Sequence, residues 1–102
     1  MEAGFRNLFK ALDVHTETLN KIMKLYLLEQ NQNGGYDTYD SCVVCAENEA
    51  DAKTIHPSGY PFVEGNPSSS WAINSDSISC EEIGEANENQ QRGVIIASFN
   101  AG

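Results

Sequence analysis

The sequence predicts an α+β fold, an N-terminal helix followed by a β-β-α-β-β domain with a small, mostly antiparallel sheet. Three observations predict it. Phe5, Leu8, Phe9 and Leu12 recur at helical spacing near the start. Four later runs rich in apolar and β-branched residues are separated by turn chemistry. The charge also divides the chain. Residues 1–22 carry three basic and three acidic groups, whereas residues 23–102 carry three basic against twelve acidic, so the whole balance of −9 lies on the second part. The chain is therefore read as a neutral extension, 1–22, and an acidic α+β domain, 23–102. Both Met1 and Met23 are possible starts of the native protein on this division.

The i, i+3, i+4, i+7 pattern of Phe5, Leu8, Phe9 and Leu12 places these side chains on one face of an amphipathic helix. Such a face either packs on its own domain or serves as a docking or oligomerisation helix. Residues 24–30 (KLYLLEQ) form a strand with apolar groups on both faces, as a central strand has. Asn33-Gly34-Gly35 supplies positive-φ turn chemistry, and residues 39–46 return as the second strand of a long-looped hairpin. Asn48 is read as the N-cap of a short helix that ends at His56-Pro57, with Ala52 and Ile55 toward the sheet. Residues 57–75 hold Pro57, Pro61 and Pro67 and form a long loop, pinned to the core by Tyr60, Phe62 and Trp71. A third strand, 76–86, slips phase between Cys80 and Ile83, which a bulge near Glu81-Glu82 explains. The last run, 93–99 (GVIIASF), is expected to be a well-buried fourth strand.

The acidic balance argues against direct binding to nucleic acid or to anionic membranes, because phosphate affinity rests on Lys and Arg. It favours a basic partner. An odd count of three cysteines, with no apolar leader, points to a reducing cytoplasm. Cys42-Val43-Val44-Cys45 has the C-x-x-C spacing, but positions three apart on a strand face opposite sides. The thiols are therefore expected to diverge and act as small buried apolar groups, and no metal or cofactor is expected.

The most site-like segment is 35–40, where Tyr36, Asp37, Tyr39 and Asp40 cluster around a turn. With Glu81, Glu82, Glu85 and Glu88 these residues are read as a partner-binding surface, the carboxylates giving long-range attraction and the phenols contact area. Two alternatives are carried. One is a small metal-dependent or Cys/His enzyme using Asp37, Asp40 and His56, with Cys42, Cys45, Cys80 or Ser98 as nucleophile. The other is a structural homo-oligomer assembled through the 1–22 stripe.

Several segments from Met23 onward resemble small accessory proteins common in phages and prophages, a group with no established activity. They are Met23-Lys24-Leu25-Tyr26-Leu27-Leu28, Gly35-Tyr36-Asp37-Thr38-Tyr39-Asp40-Ser41, Val43-Val44-Cys45-Ala46-Glu47, Ile55-His56-Pro57, Ile83-Gly84-Glu85-Ala86 and Ser98-Phe99-Asn100-Ala101-Gly102. The likeness covers residues 23–102 and carries no catalytic residue. It implies the context of a phage-type accessory protein, a class that includes anti-CRISPR-like inhibitors and nucleic-acid-mimicking modulators of host enzymes. Together with the acidic charge, the chain is read as a non-enzymatic binding protein in the host cytoplasm that docks on a basic host protein or nucleic-acid-binding complex.

Overall fold

The computed structural model describes residues 22–67 and 69–101. The expected helix of Phe5, Leu8, Phe9 and Leu12 lies outside the described residues. The elements are β1 (Lys24–Glu29), β2 (Thr38–Ala46), a single helical turn α1 (Glu49–Ala52), a 3₁₀ turn (Ser75–Ser77), β3 (Ser79–Glu85) and β4 (Gly93–Asn100). The four strands form one sheet in the order β3-β1-β2-β4, every neighbouring pair antiparallel. The α+β expectation thus resolves into a mostly β domain with little helix.

β1 and β2 pair without slippage from Lys24↔Ala46 to Glu29↔Ser41. Strand side chains alternate between faces, so this register sorts the apolar residues. Tyr26 and Leu28 share the inner face with Cys42, Val44 and Ala46, and all five are buried. Leu25, Leu27, Val43 and Cys45 take the outer face.

β2 and β3 both run antiparallel to β1 and flank it, so they are parallel to each other. A parallel pair requires a crossover. Residues 47–78 make it and cover the inner face with Ala52, Ile55, Trp71, Ala72 and Ile78. Trp71 is fully buried, Phe62 packs at the margin of the core, and Tyr60 is 75% exposed, so Tyr60 does not pin the loop as expected.

The crossover starts as the sequence predicts. The Asn48 side chain accepts from the Asp51 N–H, and α1 packs on β1, β2 and β3. The helix stops after one turn, however, well before Pro57. Ile55 instead bridges to Pro61, and the His56 N–H donates to the Tyr60 carbonyl at 2.9 Å. The backbone bonds of a tight 56–60 turn thus replace those of a second helical turn.

β3 has the expected bulge one residue later than predicted. Leu25 faces Gly84 and Tyr26 faces Glu82, leaving Ile83 as the extra residue. Two further irregularities lie between β2 and β4, where Asp40 and Ile95 are the unpaired residues. β4 is not the well-buried strand anticipated. It is an edge strand, with Ile96 66% and Phe99 46% exposed. A run of apolar residues does not distinguish a covered strand from an edge.

This burial sets unequal stakes on the two faces. Leu28→Ala should cost about 2–5 kcal/mol, whereas Ile96→Ala should cost less than about 1 kcal/mol. Urea unfolding followed by Trp71 fluorescence measures both, and equal losses would mean that both faces are equally buried.

Candidate functional site

The outer face of the sheet is the candidate site. Its side chains follow from the register: Leu25, Leu27 and Glu29 from β1, Ser41, Val43 and Cys45 from β2, Ser79 and Glu81 from β3, Ile96 and Ser98 from β4. Among the described residues, no helix or strand packs on it. The face is graded along the strands. One end is apolar, with Cys45 buried beside the Met23 sulfur at 4.0 Å. The other end is hydroxyl and carboxylate. There Glu29, Asp40, Ser41, Ser77, Ser79 and Ser98 line an open cleft of about 570 Å³. A smaller groove of about 200 Å³, lined by Leu27, Val43 and Ile96, adjoins it through Ser41 and Ser98.

Local chemistry builds the carboxylate end. The Asp40 irregularity turns its side chain toward Ser41, whose hydroxyl donates to Asp40 Oδ1 at 3.2 Å. The Ser79 hydroxyl donates to the Glu29 carbonyl at 3.4 Å. Buried Gln30 holds the adjoining loop. Its amide donates to the carbonyls of Asn33 (2.8 Å) and Tyr39 (2.7 Å), and its oxygen accepts the Asn33 N–H (2.9 Å). Every strong hydrogen-bonding group of that side chain is therefore used inside the protein.

The eight residues anticipated as one binding surface fall into separate places. Tyr36 is 81% exposed in the β1–β2 loop. Asp37 beside it has a left-handed backbone (φ 63°), and its N–H reaches the Asn100 carbonyl. Asp40 lines the cleft. Tyr39 is not a free anchor: its ring lies 4.8 Å from Phe99 and meets His56 edge-on at 6.0 Å. Glu81 faces outward opposite Leu27, while Glu82 pairs with Tyr26 on the inner side and bridges to Lys24 at 3.3 Å. Glu85, opposite Lys24, and Glu88, in the β3–β4 connection, lie at the end of the sheet away from the Tyr36 loop. Strand alternation and opposite ends divide them. Glu29, Ser41, Ser79 and the Leu27–Val43–Ile96 stripe were not anticipated, because alternation shows which residues share a face only once the register is known.

The Asp37/Asp40/His56 arrangement is likewise not brought together as a catalytic group. Asp40 opens on the outer cleft, whereas His56 sits against Tyr39 in the crossover. His56 Nδ1 accepts the Ser58 N–H at 3.0 Å, so Nε2 carries the proton and donates to Ser69 Oγ at 2.9 Å. Ser69 Oγ also accepts the Trp71 N–H at 3.2 Å. The imidazole in this tautomer is a clip between two parts of the crossover and not a base toward Ser69. Burial pushes the Cys42 thiol up to about 12 and Cys80 to about 11, away from a reactive thiolate. Cys42 and Cys45 face opposite sides of the sheet, as their spacing predicts. Among the described residues, no cluster of three or more His, Cys, Asp or Glu is placed to hold a metal ion, and no helix is long and apolar enough to cross a membrane.

No protein-family model, no curated protein and no solved structure matches this chain.

Burial lowers the His56 pKa below its ordinary 6.5. The unfolded chain therefore binds this proton more tightly than the folded one. The clip's contribution to stability is complete above about pH 6.5 and declines as the pH falls below it. His56→Gln should unfold more easily than the parent at pH 7.5, and the gap in urea midpoint should narrow toward pH 5. A gap that is constant with pH would assign His56 no such role.

Proposed function

We propose that this chain is a non-enzymatic binding protein that docks through its outer sheet face on a basic surface of a partner protein. The observation that carries the reading is the apolar stripe Leu27–Val43–Ile96, flanked by the carboxylates Glu29, Asp40 and Glu81. An apolar centre supplies contact energy, and rim charges supply attraction and orientation. Tyr36 and Asp37 extend this surface at the loop end. The net charge of −9 selects a cationic partner and disfavours nucleic acid itself. The phage-type resemblance of residues 23–102 gives the reading its context, a modulator or inhibitor of a host nucleic-acid-binding protein whose cationic groove the domain occupies in place of nucleic acid.

Capture from a host lysate on the immobilised full chain, in steps of increasing salt, tests the reading. The expected partner is a basic protein released as salt rises. A Glu29→Lys/Asp40→Lys/Glu81→Lys variant should bind that partner about tenfold more weakly or worse, each lost charge contact being worth about 0.2–1 kcal/mol plus the new repulsion. Undiminished capture by this variant would exclude the outer face as the docking surface.

A further inference from the structure

The two edges of the sheet are built differently. β3, the edge beside β1, carries Glu81, Glu82 and Glu85, all exposed. β4, the edge beside β2, has eight residues with neither charge nor proline, and Ile95, Ile96 and Phe99 on it are each more than two-fifths exposed. Edge strands present unpaired N–H and carbonyl groups, and charge or proline on the edge deters pairing with another chain. β3 has that protection and β4 does not. Among the described residues, nothing pairs with the outer side of β4.

We infer that β4 pairs with β4 of a second copy, joining two four-stranded sheets into one continuous antiparallel sheet. A two-fold axis makes this contact self-complementary, since the same edge serves both copies. The Ile95 irregularity confines regular pairing to Ile96–Asn100, whose centre is Ser98. The register is then Ser98 against Ser98 of the second copy, with Ile96 opposite Asn100 and Ala97 opposite Phe99.

Charge selects this occupant. Two copies of −9 repel wherever their carboxylates face each other. Across a β4–β4 contact they stay apart: the β3 carboxylates lie three strand spacings from β4, and Asp40, on the neighbouring β2, is separated from Asp40 of the second copy by three spacings, about 14 Å. That exceeds the screening length of about 8 Å at physiological salt. A basic peptide strand finds no counter-charge on β4 itself, the nearest strand carboxylate, Asp40, lying one strand further in. The contact also sets the two Leu27–Val43–Ile96 stripes side by side, so a partner meets one doubled surface. The inference stands on the edge composition and not on the docking reading.

Light scattering and sedimentation of the full chain at physiological salt test it. The expected mass is twice the monomer's 11.2 kDa. Ser98→Lys, which sets like charges across the axis, should give a monomer with an unchanged far-UV circular dichroism spectrum. Ser98→Cys, treated with oxidised glutathione as electron acceptor, should give a disulfide-linked dimer that the parent chain does not form, a readout independent of how Ser98→Lys folds. A parent chain that stays monomeric into the millimolar range would overturn the inference. So would a folded Ser98→Lys that remains dimeric, or a dimer dissociated by Leu8→Asp and indifferent to Ser98, which would place the contact on the N-terminal stripe.

Discussion

The parallel relation of β2 and β3 across β1 is the constraint on which the remaining structure depends. Two strands that point the same way cannot be joined by a tight turn, so the connecting chain must cross a face of the sheet. Residues 47–78 do so, and Trp71, Ile55, Ala52 and Ile78 supply the second layer that buries Tyr26, Leu28 and Val44. One crossover covers one face. The outer face of this small sheet therefore keeps its Leu27–Val43–Ile96 stripe without cover from the described elements, and the candidate surface follows from topology before any side-chain chemistry is considered.

A crossover with a single helical turn must satisfy its backbone by other means, and polar side chains do so. Gln32 Oε1 accepts the N–H groups of Ile73 (2.7 Å) and Asn74 (3.2 Å). The Asn33 amide donates to the Ser69 and Trp71 carbonyls. The Glu64 carboxylate accepts the Ser75 N–H at 3.1 Å, and that bond holds its pKa below the ordinary value. At the far end, Arg92 grips Asp51 through Nε and Nη2 at 2.9–3.1 Å and Thr54 Oγ1 at 3.0 Å, tying the entry of β4 to α1. Asp51 also accepts the Glu47 N–H, so one carboxylate joins the end of β2, the helix and β4. The irregular layer is a bonded network, and His56 is its clip near Tyr39.

The strands were legible in the sequence because each carries its own evidence: β-branched and aromatic runs with Asn-Gly-Gly or polar turns between them. Asn48 was legible as a cap because a side-chain acceptor ahead of acidic residues is a local signal. The β1–β2 hairpin was legible from its Asn-Gly-Gly loop, but the places of β3 and β4 were not. The long 47–78 segment hides which strand β3 joins, and the same apolar run in β4 fits a central or an edge position. The Tyr36–Asp40 cluster was legible as surface chemistry at its tip, but Tyr39 turns inward, because the Asp40 irregularity lets it pack on Phe99 and His56. The candidate site was missed for the same reason as the strand order. Glu29, Ser41, Ser79 and Ser98 lie on four different strands, and only register brings them to one cleft.

Register also gives the acidic composition a physical use beyond solubility. An apolar stripe of half-buried Leu27 and Val43 beside exposed Ile96 invites indiscriminate association on a small protein. On the docking reading proposed above, carboxylates at Glu29, Asp40 and Glu81 narrow the choice, since they repel acidic proteins and nucleic acid while leaving the stripe open to cationic surfaces. Glu81, with Glu82 and Glu85 beside it on β3, deters strand addition at that edge, leaving β4 as the neutral one. Attraction and exclusion therefore come from one distribution of charge, concentrated at the loop end and the β3 side. On the same reading, the contact energy resides in the few apolar residues that the crossover does not reach.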